Sequence, residues 1–323
     1  MNVNEELLDK FLYWMEERHR IYVSYKIEGR KPPFSKDPIF NEWKFTNVFR
    51  ELDTGTIWLR ENFIEPFEDD EHLFFNICAY RSFNWWPTSL YMGYQVAEDS
   101  ISEYSNNNDF IYIWNPTQLE QDLNDRQFHD GEQIFTNAHM LTGTLGGPER
   151  KNKIWQVVWQ VLDSLWKTQD KYNPEVTGER TLEGFFKKMK DATGFGPFIA
   201  YEVTTDLRHT RYLQAAPDIL TWANPGPGAM RGINRLLNLP VGRYKDGSTT
   251  KYHPVKVSGL DYVQNMRDLL AIALEELPNN DDYHIAFYEL EMRDIEHSLC
   301  EFDKYMRVQT GEGYPRQRFN PKL

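Results

Sequence analysis

In the stretch "TLEGFFKKMKDATGFGPFIAYEVTTDL", residues 181–207, two helical patterns meet at a turn built from glycine and proline. Leu182, Phe185, Phe186 and Met189 fall at i, i+3, i+4 and i+7, which is one apolar face of a helix. Thr181 stands where an N-cap belongs. Gly194 and Gly196 bracket Phe195 and permit positive φ, and Pro197 suits the first position of a second helix. Helix, G-x-G turn, helix is the helix-hairpin-helix arrangement, whose exposed amides can grip phosphate. The same residues also make an ordinary corner between core helices, so the turn has to be weighed with its surroundings.

Helical spacing dominates elsewhere. Leu7, Leu8, Phe11, Leu12 and Met15 mark a first helix, and "IWQVVWQVLDSLWK" repeats apolar residues at the same period. Residues 38–64 read as a helix or helix pair, with Phe45, Val48, Phe49 and Leu52 on one face and Asn47, Arg50 and Asp53 on another. A long final helix is expected over roughly 286–308. "SNNNDFIYIWNPTQ" is the expected place for a short strand, and "TGTLGGPERKNK" for a loop. The predicted fold is mainly α, a single domain over residues 1–323 in two lobes, 1–170 and 171–323, that share a cleft.

The net charge of −13 is unevenly distributed. Residues 181–256 hold eleven Lys or Arg against six acids, so that segment is +5 and the remainder −18. The hairpin lies inside this basic strip, which favours a nucleic-acid partner despite the acidic total. No run approaches the roughly 20 apolar residues needed to span a bilayer, so no membrane partner is expected. "MNVNEELLDK" lacks the regions of a secretory signal, and Cys78 and Cys300 give no disulfide framework, so an intracellular location is expected. No GxxxxGK[ST] phosphate loop is present. The eight histidines form no ligand-spaced pair, with His129 and His139 flanking a loop-like region, and no metal site is predicted.

Three further segments carry chemistry. "WANPGPGAMRGINRLL" sets a side-chain-poor loop with Gly226 and Gly228 before a helix bearing Arg231 and Arg235. "KFTNVFRELDTGTIW" gathers Asn47, Arg50 and Asp53. In "DIEHSLCEFDKYMRV", Ile295, Leu299, Phe302 and Met306 form a core stripe, with Glu296, Cys300, Asp303 and Arg307 as a polar stripe beside it. A solvated face accounts for such a stripe, though Cys300 is an odd member of one. "TGEGYPRQRF" follows as a tail able to close over a phosphate-bearing ligand.

Together, "ERHRIY…KPPFSKDPIF…KFTNVFRELD", "TGFGPFIAYEVTTDLRHT", "NPGPGAMRGINRLL" and "DIEHSLCEFDKYMRVQTGEGYPRQRF" resemble the α-glutamyl/putrescinyl thymine pyrophosphorylase family. Its members are amino acid:DNA transferases, related to the helical domain of 5-hydroxymethyluracil DNA kinases and distantly to helix-hairpin-helix DNA glycosylases. The resemblance spans about residues 17–319 and is poorest between about 90 and 180.

It implies a bacteriophage-encoded protein of the host cytoplasm, with a DNA-glycosylase-like helical architecture. The implied substrate is DNA whose 5-hydroxymethyluracil has been phosphorylated by a separate kinase. An amine, from an amino acid or a polyamine, would displace phosphate or pyrophosphate from the C5 methylene after base flipping. No organic cofactor is implied, and Mg²⁺ is admitted by the phosphate leaving group.

The site residues follow as expectations. Lys187, Lys188 and Lys190 with Gly194, Phe195 and Gly196 would hold the DNA backbone, as would Gly226, Gly228 and Arg235. Arg50, Arg208, Arg231 and Arg307 would clamp the leaving group. Asn47 and Asn84 would read the uracil edge, and Glu296 would contact substrate. Asp53, Asp206 and Asp303 are the candidate general bases. In the glycosylases a catalytic Asp precedes an Arg-Leu pair by about nine residues. Counting back from Arg235-Leu236 reaches Gly226, so base excision is the weaker alternative, with Asp206 and Asp218 as the nearest acids. The other alternative is a non-catalytic DNA-binding partner of a 5-hydroxymethyluracil DNA kinase.

Overall fold

A computed structural model describes residues 3–104, 110–136, 152–246, 249–252, 255–278 and 287–320. The chain is mainly helical. Its principal helices are α1 (Glu5–Tyr22), α2 (Leu73–Phe83), α3 (Trp86–Met92), α4 (Pro116–Phe128), α5 (Leu182–Met189), α6 (Pro197–Leu207), α7 (Pro227–Leu236), α8 (Tyr262–Glu276) and α9 (Met292–Gln309). The described residues also form two small sheets. β1 (Tyr94–Val96) pairs parallel with β2 (Ile111–Ile113), and β3 (Arg243–Asp246) pairs antiparallel with β4 (Thr249–Tyr252). The expected strand in "FIYIW" is β2; the loop expected over 142–153 and His139 lie almost wholly outside the described residues.

The backbone forms two compact units, Met1–Asp53 with Ile219–Leu323, and Thr54–Asp218. The division expected between residues 170 and 171 is therefore displaced. The reason is packing: α5 and α6 join α2 in the continuous unit, whereas α1 packs with α9 from the far end of the chain.

In the continuous unit every residue of α2 is buried, and Phe74 meets Phe185 of α5 edge-on at 6.3 Å. Helical winding continues through Lys153–Trp155, Gln156–Asp163 and Ser164–Trp166, whose Trp166 packs edge-on against Phe75 at 4.7 Å. In the discontinuous unit Phe11 of α1 and Phe302 of α9 meet edge-on at 5.4 Å.

Two helix boundaries differ from expectation. The expected helical stretch 38–64 is interrupted: a short helix at Pro38–Glu42 gives way to non-helical backbone and a tight turn at Arg50–Leu52 before helix resumes at Thr54–Leu59. Asn47 causes the break. Its backbone N–H donates to Asp53 Oδ1 at 3.0 Å, and its Nδ2 to the Leu52 carbonyl at 2.8 Å, so side chains take the bonds a helix would use. The last helix starts at Met292, because Glu291 and Asp294 form a reciprocal capping box there.

Candidate functional site

The hairpin has the local geometry its residues call for. Thr181 accepts from the Gly184 amide at 3.0 Å, and the Asp218 carboxylate accepts from Leu182 and Glu183 at 2.8 and 2.9 Å. Asp218 is thus a helix clamp, and that occupation argues against an acid–base role. Gly194 sits at φ +83°, where a Cβ would stand 2.4 Å from Val161 Cγ2. Phe195 is 1 % exposed and anchors the turn, so its side chain cannot face DNA. Gly196 and Pro197 are exposed, and the amides that follow begin α6, where no intrahelical acceptor exists. Lys187 pairs on the surface with Glu183 at 2.8 Å, and Lys190 lies over the Phe186 ring at 4.8 Å. Lys188 is half-buried on the same helix. The turn thus exposes amides, and the three lysines lie at the end of the helix that precedes it.

Behind the hairpin, Asp206 is not free. It is 2 % exposed and takes a bidentate pair from Arg81, Nε to Oδ2 at 2.5 Å and Nη2 to Oδ1 at 2.6 Å. Arg81 Nη1 also reaches Glu202 Oε2 at 3.1 Å and Asn84 Oδ1 at 3.0 Å. Burial alone would lower the Arg81 pKa, but Asp206 and Glu202 hold it far above the usual arginine range. Asp206, expected as a general base, is the counter-ion that ties α6 to α2. Asn84 ends α2 in the left-handed region, φ 51°, and its side-chain carbonyl accepts Arg81 Nη1 at 3.0 Å. Arg208 donates to the Gln214 carbonyl at 3.2 Å.

In the discontinuous unit the polar stripe of α9 faces α7, not solvent. Gly228 would place a Cβ 2.2 Å from Cys300 Sγ, and Gly232 one 2.5 Å from the Leu299 carbonyl oxygen, so only glycine admits this close approach. The Gly226 amide donates to Glu296 Oε1 at 3.1 Å. Gly228 is buried, and Gly226 has given its amide to Glu296, so neither serves as a backbone contact to DNA. These glycines let two helices meet.

Where they meet, three guanidinium groups surround one carboxylate. Asp303 is fully buried. It accepts Arg231 Nε at 2.8 Å on Oδ2 and Arg235 Nε at 2.9 Å on Oδ1, with Arg307 Nε 3.4 Å from Oδ2. Arg235 continues to Glu312, Nη2 to Oε2 at 2.6 Å and Nη1 to Oε1 at 3.2 Å. Asp303, expected as a base, is held among arginines, and Arg235, expected as a DNA contact, is only 8 % exposed. Arg231 and Arg307 differ from it: their side chains are 30 % and 31 % exposed. Their terminal nitrogens have no hydrogen-bond partner among the described residues. Two cations beside the same oxygen, Arg231 hydrogen-bonded to it and Arg307 ion-paired at 3.4 Å, with open terminal N–H groups, favour a bound anion.

The third expected cluster also assembles. Asn47 Nδ2 lies 3.1 Å from Asp53 Oδ1, and Arg50 Nε lies 3.9 Å from Asp53 Oδ2. Asn47, expected to read a uracil edge, already uses both ends of its side chain, since its Oδ1 accepts Arg18 Nη2 at 2.6 Å. Burial raises the Asp53 pKa, against the pull of Arg50, the Asn47 amide and Arg18. Of the three candidate bases Asp53 alone keeps an oxygen, Oδ2, whose recorded contact is as long as 3.9 Å.

Four residues of these networks escaped sequence reasoning. Arg18 and Arg81 are two. His297 bridges Arg50 Nη1 at 3.1 Å and Thr46 Oγ1 at 2.5 Å. Burial, then Arg50, Lys304 and Arg293, push its pKa well below the usual histidine range, so the imidazole is neutral. Arg293, 7 % exposed, joins Glu51 at 2.6 Å and Glu291 at 3.2 Å. A lone Arg inside an apolar helix, as in "NICAYRSF", was the available signal for Arg81. Among the described residues no group of three or more His, Cys, Asp or Glu is arranged to hold a metal ion, and no helix is long and apolar enough to cross a membrane.

Residues 5–314 match the family described as "5-hmdU DNA kinase, helical domain". A protein of Bacillus phage SP10 named "5-hmdU DNA kinase" is 26 % identical over 330 residues. That alignment covers 96 % of this chain and 46 % of the phage protein, so the chain spans under half the length of this relative. No solved structure matches.

Proposed function

This chain belongs to the family of 5-hmdU DNA kinase helical domains, and on that premise we propose that it is a thymine-hypermodification transferase acting on phage DNA. An amine attacks the C5 methylene of a phosphorylated or pyrophosphorylated 5-hydroxymethyluracil. A C–N bond forms, the C–O bond to the leaving group breaks, and the electron pair departs with the phosphate. The observation that carries this is the pair Arg231 and Arg307, both held by Asp303 with terminal nitrogens open. Such a pair stabilises the charge that grows on a departing phosphate more than the charge of the bound ester.

The attacking amine has to lose a proton, and Asp53 Oδ2 is the acceptor we assign. A carboxyl whose pKa is raised by burial is better matched to an ammonium donor than an ordinary surface carboxylate. Arg50, steadied by the neutral His297, lies beside it as the residue that keeps Asp53 ionised when it must act. The exposed hairpin amides and Lys187, Lys188 and Lys190 supply sequence-independent grip on the DNA backbone while the base is flipped. His297 and Asp303 stand six residues apart on α9, about 9 Å along its axis.

One fact favours a second role, that of a DNA-binding helical module serving a kinase: the relative bearing the kinase name is more than twice as long as the aligned region. The experiment is to incubate the protein with DNA containing phosphorylated or pyrophosphorylated 5-hydroxymethyluracil and a pool of amines. Digestion to nucleosides and mass spectrometry follow. An amine adduct that disappears in Arg231→Ala/Arg307→Ala supports the transferase. DNA binding without an adduct supports the module, and free base would mean excision instead.

A further inference from the structure

The Arg231–Arg307 pair has a third arginine next to it whose fork is already filled, and filled by the chain itself. Arg235 holds Asp303 with Nε and presents Nη1 and Nη2 together to the Glu312 carboxylate, at 3.2 and 2.6 Å. A bidentate fork on two oxygens is the geometry arginine also uses for phosphate. Arg235 is 8 % exposed and Glu312 is 37 % exposed, so the inner partner is the cation and the outer one the acid.

Glu312 belongs to no helix. It follows α9 in a turn whose neighbours Gly311 and Gly313 have φ of +72° and +159°. The turn is held by the Glu312 and Gly313 amides on the Arg307 carbonyl, at 2.8 and 3.2 Å, and by Thr310 Oγ1 on Glu312 Oε1 at 2.9 Å. Arg307, which closes that turn through its backbone, is the same residue whose side chain stands on Asp303. Position of the tail and state of the arginine cluster are therefore joined at one residue.

We propose that Arg235 is a latent third phosphate-binding residue of this cluster, and that Glu312 is its resident stand-in, displaced when a phosphoryl ligand arrives. With Glu312 in place, three guanidinium groups face two carboxylates, and the cluster is stable without a ligand. When a phosphate oxygen takes the fork, the freed carboxylate turns outward into solvent about the two glycines. The device limits adventitious anion binding, because a weak or singly charged anion does not displace a bidentate carboxylate. It rests on the phosphate-clamp reading of Arg231 and Arg307, and its test separates the two.

The experiment is isothermal titration of the full chain with inorganic phosphate and, separately, inorganic pyrophosphate. It compares the wild type with Glu312→Gln, Glu312→Asp, Arg235→Lys/Glu312→Gln and Arg231→Ala/Arg307→Ala. Glu312→Gln is expected to bind about tenfold more tightly than wild type, the size of one partly exposed charge-assisted contact. Glu312→Asp, with the charge kept and the reach shortened, falls between them. Arg235→Lys/Glu312→Gln, which keeps the charge but loses the fork, returns to wild-type affinity. Equal affinity of wild type and Glu312→Gln overturns the latent role of Arg235 while leaving the clamp standing. Binding that survives in Arg231→Ala/Arg307→Ala, or its absence from every variant, overturns the clamp and the latent site together.

Discussion

Replacing Asp303 by Asn removes the one charge that three arginines share. Asp303 is fully buried and accepts two hydrogen bonds shorter than 3 Å, so the substitution leaves cations without their counter-ion. It also turns an NH₂ group toward a guanidinium donor. Breaking a buried ion pair costs about 3–5 kcal/mol. Arg231 and Arg307 are nearly a third exposed, so water screens their share to that of surface pairs, about 0–1 kcal/mol each. Arg235 is buried but retains Glu312. The loss should therefore sit at the lower end, about 3 kcal/mol. Asp206→Asn supplies the comparison: it removes the charge and one of the two bidentate bonds beside Arg81, whose side chain is 6 % exposed, and although Glu202 remains, no water screens the loss, so it should be the larger. Urea unfolding followed by tryptophan fluorescence and by far-UV circular dichroism measures both. Phosphate should restore Asp303→Asn by up to about 2.7 kcal/mol at a hundredfold excess over Kd, by linkage to the folded state alone. A loss under about 1 kcal/mol, or a larger loss in Asp303→Asn than in Asp206→Asn, would refute the assignment of Asp303 as the shared counter-ion.

Three other outcomes follow from the same packing and charge. Gly232→Ala sets a Cβ 2.5 Å from a backbone oxygen and should cost about 1–3 kcal/mol, whereas Gly228→Ala meets Cys300 Sγ first and should be partly relieved by Cys300→Ala in a double-mutant cycle. Lys187→Gln/Lys188→Gln/Lys190→Gln should weaken duplex binding and flatten the log K against log salt slope by up to about 3, at about 0.9 per lost phosphate contact. An unchanged slope would exclude the hairpin lysines from the DNA interface. Burial, with Glu51 and Glu291 nearby, pushes Asp294 up to about 8 against the pull of Arg293. A carboxyl raised in the folded state stabilises it fully below its unfolded value, about 3.9, and that contribution disappears as pH climbs through 8. Asp294→Asn should therefore gain on the wild type in urea midpoint between pH 5 and pH 9, and parallel midpoints would rule the shift out.

What the sequence made legible, and what it hid, divides along chain distance. The hairpin was readable because Thr181, Gly194, Gly196 and Pro197 act on their own neighbours, and capping and φ preference are local. Asn47, Arg50 and Asp53 were correctly drawn together, yet by a helical spacing that the backbone does not adopt; side-chain bonds from Asn47 to Asp53 and Leu52 produce the same proximity in a turn. The pairing of Arg81 with Asp206, and of Arg231 and Arg235 with Asp303, was hidden, because each of these counter-ions lies 68 or more residues away. A charged stripe on a helix has the same pattern whether water or another helix faces it. The size of the opposing residues distinguishes the two cases. Gly228 and Gly232 are four apart on α7, one above the other, and Arg231 and Arg235 repeat the interval beside them. A face of paired glycines admits a neighbouring backbone, so the acids of α9 had to become buried, and buried acids require the arginines that α7 presents next to those glycines. The "GAMRGINR" segment thus encodes close approach and charge compensation in one helix, and it accounts for why Asp303 and Glu296 hold structure while the terminal nitrogens of Arg231 and Arg307 stay open.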